Sequence, residues 1–130
     1  MSLKDKRVLV ADDLEINLRL FRALLEGEDA SVLDARSAGE ALALARRERP
    51  DLILMDIQMP DLDGLAATRQ LKADPETAHI PVIVVTAAAM KEDAARARAA
   101  GCDGFVTKPI DVDLFVEQLE RVIGKGQEPR

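Results

Sequence analysis

Apolar residues in this chain follow two alternating rhythms. The runs Val8-Leu9-Val10-Ala11, Leu52-Ile53-Leu54-Met55 and Val82-Ile83-Val84-Val85 are continuous, as in strands of a parallel sheet covered on both faces. Between them, apolar positions recur every three or four residues, the period of a helix with one buried side. The pattern predicts five strands and five helices in strict alternation. A first strand spans Arg7 to Ala11, and a helix from about Glu15 to Glu26 carries Ile16, Leu20, Ala23 and Leu24 on one face before Gly27 stops it. A weakly apolar second strand covers Ser31 to Ala35. Ser37-Ala38-Gly39-Glu40 has the spacing of a capping box and opens a helix running to about Arg49, before Pro50. The third strand follows from Asp51, Asp63 caps a helix ending near Ala73, and Asp74-Pro75 turns the chain toward a fourth strand, Val82 to Val85. A fourth helix runs from about Met90 to Ala100 and ends at Gly101, and a fifth strand centres on Phe105 and Val106. Asp111 caps a last helix with Leu114, Phe115, Leu119, Val122 and Ile123 as apolar positions. Residues 1–124 form one domain in this reading, and residues 125–130 a flexible tail, with the chain fraying from Gly124.

Composition narrows the class. The 130 residues make one domain of ordinary size, 48% apolar and 32% charged, with no run long enough to span a membrane. A net charge of -6 argues against a nucleic-acid face, which needs clustered Lys and Arg, and three Phe with no Trp or Tyr leave no stacking surface for bases. The lone Cys102 cannot form an internal disulfide and no charged-apolar leader is visible, which together predict a cytoplasmic protein. His79 and Cys102 are single and far apart, and read as structural.

Right-handed crossovers turn five strand-helix units into a doubly wound α/β sheet, whose ligands bind outside the carboxyl ends of the strands. There the chemistry concentrates. Asp12 and Asp13 close the first strand, Asp56 closes the third, and Lys108 follows the fifth directly before Pro109. An acid after a strand is most often a helix cap, and a lone lysine is most often solvated. Capping explains Asp56 poorly, because Ile57-Gln58-Met59-Pro60 comes next, and a cis Pro109 would aim the Lys108 ammonium across the strand ends. Three carboxylates and one ammonium sum to two negative charges, a socket for a hard divalent cation such as Mg2+, which often shares its site with a phosphate.

The motifs Asp12-Asp13, Asp56-Ile57-Gln58-Met59-Pro60-Asp61-Leu62-Asp63-Gly64, Thr86-Ala87-Ala88 and Lys108-Pro109 resemble the receiver domain of two-component response regulators over essentially the whole chain. Asp12-Asp13-Leu14-Glu15-Ile16-Asn17 and Lys108-Pro109-Ile110-Asp111 are most similar to single-domain cell-division regulators of the DivK type. The resemblance implies a CheY-like, flavodoxin-like (βα)5 fold with a parallel five-stranded sheet in the order 2-1-3-4-5. It implies Asp56 as nucleophile for a phosphoryl group from a histidine kinase or histidine phosphotransferase. Asp13, Asp56 and the Gln58 carbonyl would ligate Mg2+, Asp12 would act through a bound water, and Lys108 and Thr86 would contact the phosphoryl oxygens. Such a domain catalyses only its own phosphorylation and dephosphorylation. Movement of Thr86 would let Phe105 turn inward and remodel the face of the fourth helix, fifth strand and fifth helix for a downstream protein effector. Many relatives carry Tyr at the switch position, so Phe105, with no hydroxyl, would be driven by packing. Gln58 and Ala88 occupy positions that tune the acyl phosphate lifetime in the family.

Three other classes fit less well. An aspartate-nucleophile phosphatase would want acids after the fourth strand and a substrate cap, and Asp61-Leu62-Asp63-Gly64 lies a loop beyond its strand. A dinucleotide binder needs glycines where Asp12-Asp13 stands. An EF-hand needs its glycine at the sixth loop position, and Gly64 is at the fourth. A degenerate receiver used only for binding is the remaining alternative, although all five expected site residues are present.

Overall fold

The computed structural model describes residues 3–86 and 91–127, with side chains over 3–86 and 95–123. The elements are β1 (Arg7–Ala11), α1 (Glu15–Glu26), β2 (Ser31–Ala35), α2 (Ala38–Glu48), β3 (Leu52–Asp56), α3 (Gly64–Ala73), β4 (Val82–Thr86), α4 (Lys91–Ala99), β5 (Gly104–Thr107) and α5 (Val112–Gln127). All strands pair in parallel in the order β2-β1-β3-β4-β5, as the resemblance implies.

Why the central runs are continuous is visible in the two cores. Val8, Val10, Leu52 and Leu54 face α1 and α5, meeting Leu18, Phe21, Leu25, Phe115, Leu119 and Ile123. Leu9, Ala11, Ile53 and Met55 point the other way, against Ala41, Leu42 and Ala45 of α2 and Ala67 and Leu71 of α3. Alternate side chains leave opposite faces of a strand, so a sheet covered twice needs apolar residues at every position. A third cluster of Leu65, Val84, Ala97 and Ala100 seats α4. The rings of Phe21 and Phe115 lie 5.5 Å apart and join α1 to α5. β2 sits at the sheet edge, which explains its weak apolar pattern.

Caps fall where the sequence places them. The Ser37 hydroxyl accepts from the Glu40 amide at 3.1 Å, Asp63 accepts from Leu65 N at 2.6 Å, and Asp111 accepts from Asp113 N at 3.0 Å. Gly101, with φ 95°, ends the α4 turn in a conformation that favours glycine.

Three expectations differ from the structure. The expected apolar face of α1 is largely its outer face: Ile16 is 75% and Leu20 40% exposed, Ala23 is exposed, Leu24 is half-buried, and Leu18, Phe21 and Leu25 are buried instead. In α5, Leu114 is exposed and Val122 half-buried, while Phe115, Leu119 and Ile123 are buried. That helix continues through Gly124 to Gln127, so the backbone is helical where a tail was expected to begin. Ala87, Ala88, Met90 and residues 128–130 lie outside the described residues. Among those described, no helix is long and apolar enough to cross a membrane.

Candidate functional site

The chain runs from β1 outward to β2 and returns to β3 on the far side of β1, so the carboxyl ends of β1 and β3 flank the crevice where the winding reverses. Ala11 pairs with Met55, which sets the next residues, Asp12 and Asp56, side by side. Carboxylate oxygens of Asp12, Asp13 and Asp56 lie within 4.8 Å of one another, close enough to share one metal ion. Asp12 and Asp56 are buried and Asp13 is exposed, so the cluster has two dry walls and one wet one.

Capping does not account for the pair after β1. The N-cap of α1 is Leu14, with no side-chain cap, and Asp12 Oδ1 accepts from Leu14 N at 2.9 Å. The other Asp12 oxygen lies 3.5 Å from Lys108 Nζ, which donates to Asp56 Oδ2 at 3.0 Å. The Lys108-Pro109 peptide is cis, and the Lys108 amide donates to Thr86 O at 2.7 Å. Thr86, buried at the end of β4, pairs with Thr107 and thus stands next to the strand that delivers Lys108. Gln58 follows Asp56 by two residues, and its amide donates to Asp56 Oδ1 at 3.0 Å. The structure therefore brings together Asp12, Asp13, Asp56 and Lys108, with Gln58 and Thr86 bordering them.

Burial pushes the Asp56 carboxyl above its ordinary range, against the pull of Lys108 and the Gln58 amide, and the Asp12 charge adds to the rise. Burial alone would depress the Lys108 ammonium, yet its bond to Asp56 and the charges of Asp56 and Asp12 leave it raised. The site is a strained set of like charges with one internal counter-ion. Three carboxylate oxygens with one exposed member suit a hard divalent cation that keeps part of its water.

Two features carry little sequence signal. Gly64 donates to Ile57 O at 2.8 Å, and a β-carbon there would stand 2.0 Å from the Asp56 carbonyl oxygen. Only glycine lets α3 start so close to the end of β3. Asp61, part of a motif that points elsewhere by sequence, accepts from the amides of Ala38 and Gly39 at the start of α2. Neither contact is readable without the fold, because each joins segments distant in the chain or turns on backbone proximity.

The profile of the response regulator receiver domain family matches residues 8–120. The chain belongs to this family of two-component signalling domains, which are regulatory modules. It is 49% identical over 119 residues to the polar-differentiation response regulator DivK of Brucella anthropi, covering 92% of this chain and 97% of that relative, and equally identical over the same span to DivK of Brucella abortus. Among solved structures, a CheY-like receiver domain protein from Methanospirillum hungatei JF-1 superposes with TM-score 0.87 at 28% identity, covering 95% of this chain and 98% of that one. The receiver domain of a sensor histidine kinase from Pseudomonas aeruginosa PAO1, solved with a magnesium ion coordinated in its active site cleft, gives TM-score 0.85 at 31% identity over 92% and 98% of the two chains.

Proposed function

We propose that this chain is the phosphoacceptor of a two-component phosphorelay, with Asp56 taking a phosphoryl group from the phosphohistidine of a histidine kinase or histidine phosphotransferase. The observation that carries the reading is the 3.0 Å contact of Lys108 Nζ with Asp56 Oδ2 inside the three-carboxylate cluster. An oxygen of Asp56 attacks phosphorus, the P–N bond to the donor imidazole breaks, and the imidazole leaves with the electron pair and regains its proton. Asp13, Asp56 and the Gln58 carbonyl would hold Mg2+, with Asp12 acting through a bound water. The bound cation supplies charge neutralisation for the phosphoryl oxygens. Lys108 turns from Asp56 to the transferred phosphoryl group, and the Thr86 hydroxyl donates to it, because about two new negative charges need donors. The donor histidine sits on a protein. Leu14, Ile16 and Leu20 at and along α1 and Val112 and Leu114 at the start of the neighbouring α5 are 40–75% exposed, and this apolar surface supports docking of a protein surface there.

Phosphorylation would act through Thr86 and Phe105 on the face formed by α4, β5 and α5, the surface for a downstream protein effector. Phe105 is half-buried against the cluster that seats α4, beside a cavity of about 270 Å3 that Arg98 and Cys102 also line. A ring so placed has room to change rotamer without a polar anchor. The proposed location is the cytoplasm, where such kinases present their phosphohistidine.

Incubation with Mg2+ and acetyl phosphate followed by intact-mass measurement tests the reading. One added phosphoryl mass on the parent and none on Asp56→Asn is expected. A parent that gains no mass from acetyl phosphate or from a phosphorylated kinase would be a binding module only.

A further inference from the structure

Asp61 stands outside the carboxylate cluster, and no step of phosphoryl transfer uses it. Its two oxygens nevertheless accept from consecutive backbone amides, Oδ1 from Ala38 and Oδ2 from Gly39, both at 2.9 Å. These donors hold its carboxyl below the usual range. The contact is not what starts α2, because that helix carries its own cap: Ser37 serves the Glu40 amide at 3.1 Å and Glu40 Oε1 accepts from Arg36 N at 3.2 Å. Besides serving two α2 amides, the contact therefore holds its other partner, the loop of residues 57–63 between β3 and α3. That loop is fixed at its base by Gly64 N to Ile57 O at 2.8 Å and Gln58 N to Asp56 Oδ1 at 3.0 Å. Asp61 supplies the third point, three residues beyond Gln58. Gly39 accommodates it, since a β-carbon there would already lie 3.2 Å from Asp61 Oδ2.

We infer that Asp61 is a positioning residue for the cation pocket: by pinning the loop of residues 57–63 to the amino end of α2, it holds the Gln58 main chain where it completes the site of Asp12, Asp13 and Asp56. The inference rests on the proposed reading of that pocket as a Mg2+ site. It assigns Asp61 no contact with the ion.

The test compares the parent with Asp61→Ala and Ser37→Ala, the second removing the helix cap without touching the loop. In chelator, Asp61→Ala should speed hydrogen exchange at the Ala38 and Gly39 amides and shift the Gln58 amide resonance, whereas Ser37→Ala should leave Gln58 in place. Titrated with Mg2+ by NMR, Asp61→Ala should bind about tenfold more weakly, the scale of losing a group that orients a ligand, and Ser37→Ala should match the parent. Repeating the titration near 1 M KCl separates position from charge, because the Debye length is then only about 3 Å and longer-range charge effects are largely screened. A deficit that persists supports the inference. An unchanged affinity, a deficit that vanishes in high salt, or an equal loss in Ser37→Ala would each overturn it. A parent that binds no Mg2+ would instead remove the cation reading itself, and this inference with it.

Discussion

Asp56 is the residue at which fold stability and proposed chemistry conflict. It is buried beside a second buried carboxylate, its proton affinity is raised chiefly by that burial, and Lys108 offsets the charge only in part. A carboxyl whose pKa is higher folded than unfolded opposes folding wherever it is ionised. Folded and unfolded forms bind unequal numbers of protons between the ordinary value of 3.8 and the raised one, with the folded form binding more. The penalty is full above the raised pKa and fades as pH falls toward 3.8. In chelator at neutral pH, Asp56→Asn should therefore melt above the parent, and thermal melts down a pH series should show that gap closing on the acid side. A gap that widened as pH fell would contradict the assignment of the strain to Asp56. Mg2+ should raise the parent's melting temperature and have much less effect on Asp13→Asn, since binding to the native state alone is what stabilises it.

At the scale of elements, α1 exposes the limit of periodicity. Ile16, Leu20, Ala23 and Leu24 and the set Leu18, Phe21 and Leu25 both recur at helical spacing, so the period gives a helix without fixing its rotation. The ring pair of Phe21 and Phe115 and the Val8, Val10 surface of β1 decide between them. In denaturant titrations Phe21→Ala should cost about 3–5 kcal/mol, and Ile16→Ala, 75% exposed, should stay within about 0.5 kcal/mol. Strand and cap positions were legible because their signals are local: continuous apolar runs, Ser37, Asp63 and Asp111 before helices, Gly101 after one. Asp12, Asp13, Asp56 and Lys108 were legible for a different reason. In a parallel α/β chain the carboxyl ends of all strands lie on one edge, so residues just past the strands must gather. The Asp61 tie and the Gly64 approach join backbone to side chain across loops, and no local pattern encodes them.

Across the whole molecule, the same parallel topology that gathers the acids also connects them to the far surface. Thr86 ends β4 and Phe105 lies on β5, with Val84 paired to Phe105 and Thr86 to Thr107. Thr86 O also receives the Lys108 amide. A pull on Thr86 toward a phosphoryl group on Asp56 would thus be felt along two adjacent strands and in the packing of Phe105 with Leu65, Ala97 and Ala100. Chemistry and switching should separate in Thr86→Ala, which keeps Asp56, Lys108 and the carboxylates: it should still gain the phosphoryl mass yet lose the change in the distant face. Coupling between sites is typically about 1–3 kcal/mol, enough to alter partner affinity by roughly 5- to 150-fold. Titrating a kinase or effector partner against parent and variant, each with and without beryllofluoride as a phosphoryl mimic, reads that coupling directly. The parent should gain affinity with the mimic and Thr86→Ala should not. An equal gain in both would move the switch away from Thr86, and with it the reason for Phe105 to turn.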